Sequence, residues 1–478
     1  MRSRLPALTL AAATLLLPAT PAWAGAGGAA RQAPQAQRSA ASPGARTPIK
    51  HFVFLMQGGR TFDNYFGTYP GADGIPADAC QLRTAGHPAD GCVKPFPLHT
   101  TQAPPLKAGQ TTIANQYNHG KMNGFVSAYE AQARSGTTAM GYYDRAELPF
   151  YWKVADNYVL FDHYFASTLA GSRSNRSYWV SSAASPGGAQ RIPVGGYGNK
   201  PTIFDRLQAA GISWKFYVQG YNPHATYQSA SRINPNSQTV RVPLLNYARF
   251  VDDPTLSKHI VGMDQYYRDL ADGTLPAVSY IASSADNERS ARSILPGQHL
   301  VRNLVTQLMV SRYWDSSALM WSYDGSGGWY DSVTPPRAGS ATLGLRVPAL
   351  LISAYARKGQ VNHTVLSYPS ALKFIEQNWH LRPLTSLDAT SANMTGAFNF
   401  AVGPRRPAIL PPLPSSLSAQ PKPAPAVRTA VVYWLYGGAA ALCIVLVLVA
   451  LGLPAITARR RRGTPATPPA IRKDVTVP

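Results

Sequence analysis

The sequence predicts an α/β fold, a mostly parallel sheet with helices on both faces, plus one C-terminal transmembrane helix. Three observations carry this reading. Apolar runs of strand length recur along the middle of the chain. Segments with helical periodicity lie between some of them, and such alternation favours parallel strands covered on both sides. Finally, an uncharged apolar stretch near the end runs directly into four consecutive arginines.

The N-terminus has the features of a secretory signal over residues 1–24. Arg2 and Arg4 precede a short apolar run, Leu5 to Leu17, and Ala22-Trp23-Ala24 fits a cleavage site. The run is too short to span a bilayer, which argues against an N-terminal anchor. Residues 25–48 are mostly Ala, Gly, Pro, Gln and Arg, the composition of a disordered leader.

Residues 49–403 form the expected folded domain, long enough for a sizeable core. Its strand-like runs are His51–Met56, Ile212–Val218, Ala277–Ala282, Ala318–Tyr323 and Val347–Ser353. Thr202 to Gly211 opens on Pro201-Thr202 and stops at a glycine, a helix with both signals. Leu300 to Ser311 sets Leu300, Leu304, Val305, Leu308 and Met309 on one helical face.

Residues 404–427 hold many prolines and read as a semi-rigid stalk. Thr429 to Ala458 carries no charge, and its 30 residues suffice as a helix to cross ~30 Å of hydrocarbon. Tyr433, Trp434 and Tyr436 sit at the outer end, and Arg459 to Arg462 place the other end in the cytoplasm. A buried core helix fits the proline-rich linker and the arginines poorly, and no clear sorting motif precedes the span. Residues 459–478 are the cytoplasmic tail. The expectation is a single-pass cell-membrane protein with its domain extracytoplasmic.

The net charge of +22 suits an anionic contact, whether phospholipid, wall polymer or a phosphate-bearing ligand, and equally suits plain solubility. No nucleic-acid recognition motif occurs, and nucleic acid is not expected as a partner. Of three cysteines, Cys80 and Cys92 lie close together outside the membrane, so a disulfide is plausible. Cys443 lies inside the span, as a small apolar side chain or a lipidation site.

Four segments carry a family resemblance. Ile49 to Gly67 reads as a buried strand running into Gly58-Gly59-Arg60-Thr61-Phe62-Asp63. Asn118-His119-Gly120-Lys121-Met122-Asn123-Gly124-Phe125 and Asp162 to Arg176 follow. Ala318 to Asp331 is a strand ending in Asp324 and a glycine-rich loop. Together these resemble the bacterial phosphoesterase family that contains phospholipase C and acid phosphatase, and later segments from Arg346 to Trp379 agree. The resemblance implies an alkaline-phosphatase-like fold and hydrolysis of phosphate esters.

It also implies site residues. Ser172 stands at the nucleophile position, although serine in Gly-Ser-Arg-Ser-Asn is ordinarily a turn residue. His119 and His363 are candidates to protonate the leaving group, and Arg60, Arg173 and Arg176 to clamp phosphate oxygens. The family implies a divalent metal, held at positions 58, 59, 324 and 325. Here Gly58, Gly59 and Gly325 stand where ligands are expected, and Asp324 alone is retained. Arg289, Ser332 and Tyr368 replace family histidines. Asp63, Glu288 and Asp331 are the acids able to substitute as ligands. Two functions follow: a membrane-tethered phosphoesterase working through Ser172, or a catalytically inactive relative that binds phosphorylated or anionic ligands at the surface.

Overall fold

An eight-stranded sheet organises the chain. The structure, a computed structural model, describes residues 44–410 apart from 107, 131–135, 187–191, 230–236, 290–292 and 340. The expected signal peptide, most of the leader and stalk, the Thr429–Ala458 span and the tail lie outside the described residues. Among the described residues no helix is long and apolar enough to cross a membrane.

The sheet strands are β1 (His51–Gln57), β2 (Val159–Phe161), β3 (Trp214–Val218), β4 (Ile260–Gly262), β5 (Val278–Ala282), β6 (Ser317–Tyr323), β7 (Ala349–Ser353) and β8 (Gln360–Asn362). Their spatial order is β8-β2-β7-β6-β1-β5-β3-β4. β1 pairs in parallel with both β5 and β6, while β7 runs antiparallel to β6 and β2. The sheet is thus mostly parallel, as expected, with one reversed strand.

The principal helices are α1 (Phe62–Phe66), α2 (Gln110–Tyr117), α3 (Pro149–Asn157), α4 (Ser172–Ser181), α5 (Ile203–Ala209), α6 (Asp264–Asp272), α7 (Leu295–Val310) and α8 (Tyr368–Asn378). Thr202 caps α5 in a capping box with Asp205, which satisfies two end donors. α7 begins five residues before the expected Leu300, because Pro296 suits a helix's first turn.

Residues 52–57 of β1 are all buried, so both faces of the sheet are covered. Side chains alternate between the faces. Phe52 packs on Phe374 of α8, and Phe54 packs edge-on against Trp179 of α4. Trp321, in register with Leu55 on the opposite face, meets Tyr151 of α3 at 4.2 Å between ring centroids. A separate disulfide joins Cys80 to Cys92.

Candidate active site

The site forms where β5, β1 and β6 end, at the carboxyl edge of adjacent parallel strands, a usual place for ligands in open α/β sheets. The register pairs Gln57 with Tyr323, so the next residues, Gly58 and Asp324, emerge side by side. The Asp324 amide donates to the Gln57 carbonyl at 3.0 Å. Asp324 turns to the face that carries α4.

Ser172 is the first residue of α4, after Gly171 at φ 87°. Asn175 fixes this entry: its Oδ1 accepts from the Thr168 amide at 2.9 Å and its Nδ2 donates to the Thr168 carbonyl at 3.1 Å. The helix is rich in Ser and Asn, which favour it weakly. It is held by tertiary packing, chiefly buried Trp179 stacked on Tyr280 at 4.6 Å. The Ser172 hydroxyl donates to Asp324 Oδ1 at 3.2 Å.

Asp324 is 1% exposed and is shared between two guanidinium groups. Arg176 Nε donates to Oδ2 at 2.6 Å, and Arg289 donates to Oδ1. Arg176 also donates to the Gln57 and Arg241 carbonyls, so it braces Asp324 from below. Burial lowers the pKa of Arg176 to about 9. Burial, and next the like charge of Arg176, lower that of Arg289 to about 9, while Tyr368 opposes this. Both stay cationic at neutral pH.

Above this floor opens a cleft of about 350 Å³, whose lining includes Gly171, Ser172, Arg173, Asn175, Arg289 and Gly325. The charged side chains among its described lining residues are Arg173 and Arg289, both positive. The backbone end of α4 adds to the positive field.

The structure brings Ser172, Asp324, Arg173 and Arg176 together. It places the other expected residues elsewhere. Arg60 is buried under Trp329, Tyr65 and Tyr143, with its Nη2 donating to the Glu288 carbonyl at 2.9 Å. It is a core cation and does not line the cleft. His119 is an exposed turn residue at φ 54°. His363 holds Asp162 Oδ2 at 2.8 Å with its side chain 61% exposed. Neither histidine lines the cleft. Arg289 is the site residue that the sequence flagged only as a lost histidine. Its signal is the coincidence of that replacement with Gly58.

The remaining residues do not fit the divalent metal that the family implies. Such an ion needs several oxygen or nitrogen ligands around one point. Asp324 is already paired with two guanidiniums, and the glycines at 58, 59 and 325 supply no side-chain donor. A Cβ on Gly58 would lie 2.5 Å from Arg289 Nε, so the arginine fills the space a side chain at 58 would take. The acids that stood in reserve are engaged elsewhere. Asp63 and Asp331 both hold buried Arg346, at 2.9 and 2.7 Å. Glu288 accepts from Tyr65, Tyr151 and Tyr323, at 2.7, 2.7 and 2.6 Å. Burial raises its pKa, against the pull of Arg60 and those hydroxyls. Among the described residues no group of three His, Cys, Asp or Glu could hold a metal ion.

Comparisons with known proteins show what the chain resembles. Phospholipase C A of Mycobacterium tuberculosis is 29% identical over 80% of this chain and 84% of its own length. The non-hemolytic phospholipase C of Pseudomonas aeruginosa is 25% identical over 79% of this chain and 62% of its own. A solved alkaline phosphatase superfamily structure from Vibrio parahaemolyticus overlaps with a TM-score of 0.34 at 12% identity, over 69% of this chain and 67% of that one. A model of the Phosphoesterase family matches residues 49–382, and this establishes that the chain belongs to that family.

Proposed function

We propose that this chain is a membrane-tethered, extracytoplasmic phosphoesterase of phospholipase C type, acting on phosphate esters through Ser172. One observation carries the reading: the Ser172 hydroxyl faces Asp324 at 3.2 Å on the floor of a cationic cleft. The phospholipases C among its relatives favour a phospholipid headgroup ester. The cleft volume is at the lower end for a small-molecule site. The signal-like N-terminus and the Thr429–Ala458 stretch support the tether.

In this reading Ser172 Oγ attacks phosphorus and passes its proton to Asp324. The ester P–O bond breaks, and the leaving alkoxide takes a proton from water, since neither candidate histidine lines the cleft. Arg173, Arg289 and the α4 end neutralise the phosphoryl oxygens, the largest need for so slow a reaction. A water then attacks the phosphoserine and gives its proton to the hydroxide left by the first step; the P–O bond to Ser172 breaks, Asp324 returns its proton to Oγ, and phosphate or phosphorylated headgroup is released.

The test is a screen of the purified chain against phosphomonoesters and phospholipids. Ser172→Ala should cut turnover by roughly 10³-fold or more. Unchanged turnover in that variant would remove Ser172 from the mechanism.

A second reading is a surface module that binds a phosphorylated or anionic envelope ligand without turnover. The double pairing of Asp324 favours it, because a carboxylate held by two guanidiniums is a weak base. It predicts thermal stabilisation by ligand with no product formed.

A further inference from the structure

We propose that the Arg289 guanidinium is a tethered cation standing at the vacated metal-ligand positions, so that the cleft binds a phosphate group without any metal. This rests on the phosphate-ester reading of the cleft.

The seat is built from four sides. Gly58 leaves the room, since a Cβ there would press on Arg289 at 2.5 Å from Nε and 2.7 Å from Nη2. Gly59, at φ 82°, lets the loop pass close to the Arg289 backbone, 3.4 Å from an added Cβ. Asp324 anchors the guanidinium from the end of β6. The preceding residue, Glu288, is locked by three tyrosine hydroxyls and by Gln57 Nε2 at 3.2 Å, which fixes where the chain delivers Arg289.

The charge balance favours an anion. Arg176 and Arg289 share a single carboxylate, Asp324, which leaves one positive charge in excess. No acid lines the cleft among its described residues. The Arg289 side chain is 17% exposed and therefore reachable, whereas Arg176 is sealed beneath Asp324. A guanidinium offers planar, paired donors that match phosphate oxygens and is not removed by a chelator. The shared chemistry is a tetrahedral phosphate, free or as a lipid headgroup.

The experiment uses the full-length chain in detergent, held in excess EDTA. Inorganic phosphate is titrated by calorimetry, and phosphatidylglycerol vesicles are tested by co-sedimentation. Binding of either probe in EDTA, weakened about tenfold or more by Arg289→Ala, supports the proposal, and the probe that binds identifies the source. Arg289→Lys should recover part of the affinity. Gly58→Ala, which crowds the guanidinium from the other side, should weaken binding with Arg289 itself intact. Binding that requires added divalent cation, binding unaffected by Arg289→Ala, or binding of neither probe overturns it. Arg289-dependent binding without hydrolysis would defeat the catalytic reading and leave the tethered cation standing.

Discussion

The Tyr323 hydroxyl donates to Glu288 Oε2 at 2.6 Å, and this bond ties the last residue of β6 to the loop that carries Arg289. The two residues flanking the contact, Asp324 and Arg289, are themselves an ion pair. This buried tyrosine–carboxylate contact joins those of Tyr65, Tyr151 and Gln57 in holding the loop that carries Arg289.

Removing that contact should loosen the floor. Tyr323→Phe deletes a hydrogen bond to a buried carboxylate, worth about 1.5–3 kcal/mol. The expected result is a Tm lower by roughly 2–5 °C, together with weaker phosphate binding in EDTA. A stability loss with unaltered phosphate affinity would show that Arg289 is placed without Glu288.

Arg346 is the central cation of the buried core beside the site. It is fully buried, pairs with Asp63 and Asp331, and also donates from its own backbone amide to Asp331 Oδ2 at 2.8 Å. Burial raises the pKa of both carboxyl groups, and Arg346 pulls them back. Arg346→Met should strand two buried acids and cost about 3–5 kcal/mol, read by urea unfolding. Full recovery in the triple change with Asp63→Asn and Asp331→Asn would confirm that the loss is electrostatic, whereas no recovery would assign it to packing over Phe62.

Glu376 gives a pH dependence. Burial, and next the hydrogen bond and charge of Asp388, push its pKa up to about 9. Glu376 Oε1 and Asp388 Oδ2 share the Leu384 amide, at 3.1 and 2.7 Å. An unfolded glutamate titrates near ~4.3. Between those values the folded chain keeps a proton that the unfolded chain has released, so this group's contribution to stability falls as pH rises through the window. Glu376→Gln should therefore flatten the decline of Tm between pH 5 and pH 9 and raise Tm by several degrees at the alkaline end. Parallel wild-type and variant curves would show that Glu376 does not hold that proton.

Much of this protein was readable from residue order. The apolar runs located β1, β3, β5, β6 and β7, because a strand buried on both faces must be continuously apolar. Val159–Phe161, Ile260–Gly262 and Gln360–Asn362 were not read as strands, since three residues carry no period. The reversal of β7 was also hidden, because an antiparallel strand buried within a sheet looks like its parallel neighbours. Gly171-Ser172-Arg173-Ser174-Asn175 read as a turn around the nucleophile candidate, and Ser172 is the first residue of a helix held chiefly by the packing of Trp179 on Tyr280.

Sequence by itself determined the family, the strand-end frame and the glycines at 58, 59 and 325, where the family resemblance implies ligands, because these are identities at fixed positions in a motif. Tertiary structure alone decided what took their place. Residues 58, 289 and 324 are far apart along the chain, and only the parallel pairing of β5, β1 and β6 brings their loops to one edge. There an arginine enters the room a glycine leaves, and an aspartate holds it.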